Sequence, residues 1–187
     1  MAVETKIIVA DDHPIFRQGL IQVIEKEFGF RVVADADNGK DALELIKNHL
    51  PDVAVLDLDM PEIDGFGIAS EIQKLNLPVK IVILTMHKDE LHFNQAIDLG
   101  VSGYVIKDGA AHEVINCIKT VKSGQAYFSP ILSTFLLNRV RALQIEFRAD
   151  IGTVIVHRSR SDRKFSGDGF AGFQLGQKKQ NAAFGRR

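Results

Sequence analysis

Cysteine is nearly absent from this 187-residue chain. The single Cys117 excludes a disulfide framework and any multi-cysteine zinc centre. No apolar run approaches the roughly 20 residues needed to span a bilayer. The opening Met1-Ala2-Val3-Glu4-Thr5-Lys6 lacks the basic and then apolar regions of a secretory signal. Paired metal-ligand spacings are missing among the six histidines. These absences lead to the expectation of a cytoplasmic protein with no membrane partner. With 45% apolar and 25% charged residues, the length fits one domain and a short appendage, since domains commonly run about 100–200 residues.

Excess charge of either sign is also small overall, a net −1, but it is unevenly spread. Residues 1–140 hold 20 acids against 13 bases, whereas residues 141–187 hold 4 acids against 10 bases. The first part lacks the clustered Lys and Arg of a general nucleic-acid binder. The second part is a short basic segment that could touch an anionic partner.

What the sequence does contain is alternation. Apolar or β-branched runs recur at 6–10, 31–34, 52–56, 80–84 and 103–106. Between them lie stretches with helical spacing, such as Phe16, Leu20, Val23 and Ile24, or Val114, Cys117, Ile118 and Val121. The helix between the fourth and fifth runs has the weakest stripe. Five strands alternating with helices predict parallel βαβ units, and continuous runs such as Ile81-Val82-Ile83-Leu84 suit strands buried on both faces.

In such a sheet functional groups collect at the carboxyl ends of the strands. The first run ends in Asp11-Asp12, the third in Asp57 followed by Leu58-Asp59-Met60-Pro61, and the fourth in Thr85. The fifth ends Tyr104-Val105-Ile106-Lys107. Taken singly, Asp11-Asp12 reads as a helix cap, Asp57 as a turn residue, Lys107 as a solvated charge and Tyr104 as half-buried packing. Taken together they put two or three carboxylates, a hydroxyl and an ammonium on one rim. Two carboxylates about 4 Å apart repel by about 4 kcal/mol at an effective dielectric of 20, so they must protonate, separate or hold a cation. An all-oxygen site with room for water suits magnesium. Such a site is equipped to receive a phosphoryl group on a carboxylate.

Ile7-Ile8-Val9-Ala10-Asp11-Asp12-His13-Pro14, Asp57-Leu58-Asp59-Met60-Pro61-Glu62-Ile63-Asp64-Gly65, Ile83-Leu84-Thr85 and Gly103-Tyr104-Val105-Ile106-Lys107-Asp108 together resemble a response-regulator receiver domain. Asp-His-Pro, Lys-Asp and the stretch Ser123-Gly124-Gln125-Ala126-Tyr127-Phe128-Ser129-Pro130 resemble its NarL/FixJ-type subgroup. The resemblance implies a flavodoxin-like, doubly wound, five-stranded parallel sheet over residues 5–128. It implies Asp57 as acceptor of a phosphoryl group from a sensor histidine kinase. Asp11, Asp12, Asp57 and the main-chain carbonyl of Asp59 would surround Mg2+, Lys107 and Thr85 would meet the phosphoryl oxygens, and Tyr104 would follow Thr85 as a switch. The output would be a shifted protein–protein surface, a homodimer among the options, serving transcription, with no enzymatic turnover.

A rival resemblance is that of Asp57-Leu58-Asp59 to the nucleophile motif of haloacid-dehalogenase-like phosphatases. That family carries the motif on its first strand and leaves Asp11-Asp12 unexplained. Gly167-Asp168-Gly169-Phe170-Ala171-Gly172 matches G-x-G-x-x-G but lacks a preceding strand, so a loop is expected. Residues 129–148 read as a linker helix. Residues 149–187 form a basic Gly/Ser/Gln-rich tail, expected to be disordered or out-of-frame. They offer no recognition helix, so DNA binding is not carried over.

Overall fold

The computed structural model describes residues 4–108 and 111–144. Among them, parallel strands β1 (Thr5–Ala10), β2 (Phe30–Ala36), β3 (Val53–Asp57), β4 (Lys80–Thr85), β5 (Gly103–Ile106) and β6 (Tyr127–Phe128) form one sheet in the order β2-β1-β3-β4-β5-β6. The helices are α1 (Pro14–Glu25), α2 (Gly39–His49), α3 (Gly65–Lys74), α4 (Glu90–Asp98) and α5 (Ala111–Lys122). A 3-10 turn at Pro130–Leu132 leads into helix α6 over residues 133–144.

Strand alternation divides the core in two. Ile8, Ala10, Leu56, Ile83 and Tyr104 face α2, α3 and α4, while Ile7, Val9, Val55, Leu84 and Val105 face α1 and α5. Both faces are buried, which is why these strands carry unbroken apolar runs rather than polar alternation. Helix starts follow local chemistry. Asn38, Asp64 and Asp89 cap α2, α3 and α4 by accepting from the N–H of Asp41, Gly67 and His92. Gly39 is required by contact: a Cβ there would lie 1.7 Å from the carbonyl oxygen of Ile63.

The five-stranded expectation needs a correction. Tyr127–Phe128 adds a sixth strand beside Gly103–Tyr104, and the Ser129 N–H continues the pairing by donating to the Tyr104 carbonyl at 2.9 Å. Two residues are too few to show a period, so the pairing is a tertiary effect that satisfies the open edge of β5. Helix α4 buries only Phe93 and Ala96, in keeping with its faint stripe. Phe93 meets Tyr104 edge-on at 5.9 Å, Phe128 at 5.5 Å and Phe135 of α6 at 6.1 Å. Residues 145–148 of the expected linker helix, the tail from 149 onward and the glycine motif at 167–172 lie outside the described residues.

The chain order turns outward in both directions from β1 and β3. Their carboxyl ends therefore flank the crevice where an open parallel sheet binds its ligands.

Candidate functional site

Strand ends deliver the charged groups to this crevice. Asp11 follows β1 and is fully buried. It does not cap α1: its Oδ1 accepts from the His13 N–H at 2.9 Å, while His13 occupies the cap position without a side-chain bond. Asp12 is partly exposed, and its Oδ1 lies 2.6 Å from His13 Nδ1. Asp57, the last residue of β3, is buried, and the adjoining Leu58 N–H is tied to the Leu84 carbonyl at 2.9 Å.

Lys107, just past β5, is no solvated charge. Its side chain is 8% exposed, and its Nζ stands 2.8 Å from both Asp11 Oδ2 and Asp57 Oδ2. The ammonium also lies 4.9 Å from the centre of the Phe16 ring, so the first turn of α1 covers it. Sequence reading missed Phe16 in this setting, because its spacing assigned it only to the core stripe.

The site holds more negative charge than one ammonium balances. Burial raises the pKa of Asp57 above the usual carboxylate range, the Asp11 charge adds to this, and Lys107 with the Asp59 main chain only partly opposes it. Burial pulls Lys107 down, but the adjacent Asp11 and Asp57 carboxylates outweigh that and raise it. Asp11 Oδ2, Asp12 Oδ1 and Asp57 Oδ2 have ion-pair neighbours but no aligned hydrogen-bond donor. Donor atoms of Asp11, Asp12, His13 and Asp57 lie within 4.8 Å of one another. Under-satisfied buried carboxylate oxygens converging on one spot fit a hard divalent cation.

The remaining expected residues are arranged differently. Thr85 ends β4 fully buried, and its Oγ1 accepts from the His87 N–H at 3.0 Å. Tyr104 is wholly buried rather than half-buried. Its hydroxyl points to the His87 carbonyl at 3.5 Å, a weak contact, and burial raises its pKa. The Asp59 carboxylate leaves the cluster, with its Oδ2 2.9 Å from His87 Nε2. His87 is thus a shared neighbour of Thr85, Tyr104 and Asp59. Nothing local in the sequence signals it, since the contact depends on the path of the β4–α4 loop.

Comparison with known proteins agrees with this geometry. The family model of the response regulator receiver domain matches residues 7–119. The NarL transcriptional regulatory protein of Mycobacterium tuberculosis is 34% identical over 138 residues, 74% of this chain and 64% of that one. The transcriptional regulatory protein DegU of Brevibacillus brevis is 33% identical over 138 residues, 74% of this chain and 58% of its own length. The chain therefore matches about six-tenths of these relatives. A two-component response regulator of the LuxR family from Aurantimonas superposes with a TM-score of 0.69 at 33% identity, covering 73% of this chain and 99% of that one. The phosphatase alternative finds no support: the match runs to receiver domains, and Asp59 pairs with His87 instead of joining Asp57.

Proposed function

The chain belongs to the response-regulator receiver family, and from that premise we propose that Asp57 accepts a phosphoryl group from a sensor histidine kinase. The observation that carries this reading is the convergence of Asp11, Asp12 and Asp57 with the Lys107 ammonium 2.8 Å from two of them.

Asp57 Oδ attacks phosphorus, the phosphohistidine N–P bond breaks, and the imidazole leaves with the electron pair, giving an acyl phosphate. Lys107 is already seated against Asp57 and moves its charge onto the phosphoryl oxygens as they arrive. Thr85 accepts from the His87 N–H, so its own hydroxyl proton is free to donate to one of those oxygens. Asp11, Asp12, Asp57 and the Asp59 carbonyl would hold Mg2+, which when bound neutralises charge on the transferring group. Phosphorylation adds charge beside Thr85. Through the His87 backbone, which both Thr85 and Tyr104 contact, it biases the β4–α4 loop between two arrangements.

As a signalling domain the protein takes one phosphoryl group per chain rather than turning substrate over. Regulation of transcription is the output that the named relatives support. The divisions at residues 5–128, 129–148 and 149–187, and homodimer formation through a phosphorylation-dependent surface, belong to the same proposal.

The test is incubation with acetyl phosphate and Mg2+, read by intact mass. Wild type gains one phosphoryl group and Asp57→Asn gains none. An Asp57→Asn protein labelled as fully as wild type overturns the assignment. Steady release of phosphate from phosphomonoesters by wild type would overturn the signalling role.

A further inference from the structure

A second cluster of ligating side chains lies outside the phosphoacceptor site. His87 in the β4–α4 loop, Asp89 at the cap of α4 and His92 in its first turn bring donor atoms within 4.8 Å of one another. The His87 and His92 rings lie 4.2 Å apart at 15°, and His92 also stacks on the buried Phe66 at 6.3 Å. The side chains of His87, Asp89 and His92 are 37%, 48% and 32% exposed, open enough for an ion to enter.

One further observation points to a cation. Asp59 takes His87 Nε2 at 2.9 Å, leaving the other ring nitrogen as a donor. A carboxylate orienting a metal-ligating imidazole works in this way. The Asp89 carboxylate lies 2.8 Å from His92 Nδ1, which leaves Nε2 as the His92 nitrogen open to a metal.

We propose that His87, Asp89 and His92 form a binding site for a divalent transition metal of the zinc class, with water in the fourth position. Two imidazoles and one carboxylate are a zinc donor set, whereas magnesium prefers oxygen ligands. A tetrahedral ion with ligands at about 2.0–2.2 Å needs the donor atoms drawn together by rotamer adjustment. The site spans the joint between a loop and a helix that buries only two residues, so the ion fastens α4 to the His87 backbone. His87 donates its N–H to Thr85, so the metal restrains the loop beside the proposed switch without belonging to the Asp57 cluster.

The experiment titrates zinc alone into the full chain against a chromogenic chelator, with Mg2+ saturating to occupy the carboxylate site. One zinc per chain is expected. His87→Ala and His92→Ala should each weaken it by more than about tenfold, and His13→Ala should leave it unchanged. Hydrogen exchange of residues 87–92 should slow on zinc addition in wild type and not in His92→Ala. Cobalt should give the intense visible absorption of a tetrahedral site. Failure to retain zinc against the chelator overturns the proposal. So does binding that survives both His87→Ala and His92→Ala, or binding that disappears with His13→Ala. None of these readouts depends on phosphorylation, so this site and the Asp57 assignment fail separately.

Discussion

The Nζ of Lys107, at the end of β5, sits 2.8 Å from Oδ2 of Asp57, at the end of β3, with the whole of β4 between their strands. A contact across two strand spacings requires a long side chain laid along the rim, and the Phe16 ring covers that path. The same ammonium serves Asp11, so one cation stands between two buried carboxylates.

Removing that cation should be costly. Lys107→Ala leaves Asp11 and Asp57 buried without a counter-charge, and a loss of about 3–5 kcal/mol is expected in metal-free buffer. Urea unfolding with a chelator present measures it. Mg2+ should recover part of the loss, because the ion supplies the missing positive charge. A variant as stable as wild type without metal would contradict the electrostatic account.

Asp57 should have the opposite effect. Its folded pKa is raised, so between the ordinary value of about 3.9 and that raised value the folded state holds more protons than the unfolded one. Stability contributed at this position therefore falls as pH rises through the window. Asp57→Asn abolishes the fall without orphaning Lys107, which keeps Asp11. Metal-free unfolding at pH 4 and pH 7 should show the variant gaining on wild type at the higher pH. An equal difference at both pH values would count against the buried-charge reading.

Much of this rim was legible before any coordinates, because its residues terminate apolar runs and parallel strands bring such termini to one edge. Asp11, Asp12, Asp57 and Lys107 all follow that logic. Three features besides the Phe16 cover over Lys107 were not legible. The strand Tyr127–Phe128 is too short to carry a period. Asp11 looks like a cap but is fully buried, and its carboxylate accepts from the His13 N–H. His87 gains its neighbours Asp59, Thr85 and Tyr104 from a loop path that no spacing encodes.

Gly65 begins α3 directly behind the acceptor. A Cβ there would lie 2.6 Å from the Asp57 carbonyl oxygen and 3.2 Å from Leu58 Cα. Gly65→Ala must therefore displace the end of β3. A loss of about 1–3 kcal/mol is expected, with a slower acetyl phosphate reaction. Unfolding and labelling measured on one preparation check both.

Phe93 anchors α4, whose only other buried residue is Ala96. Phe93→Ala removes a ring packed against Tyr104, Phe128 and Phe135, at an expected cost of about 3–5 kcal/mol. Hydrogen exchange should accelerate more in α4 than in α1, whose own buried contacts are untouched. Uniform acceleration would show instead that α4 does not open independently.

The most direct measurement of the central claim is paramagnetic mapping with Mn2+ as the probe for a hard divalent cation. Amide signals of residues 11, 12, 57–59 and 107 should broaden first in wild type, and the effect should weaken sharply in Asp12→Asn. Broadening centred elsewhere, or unchanged by Asp12→Asn, would contradict a shared cation site between the ends of β1 and β3.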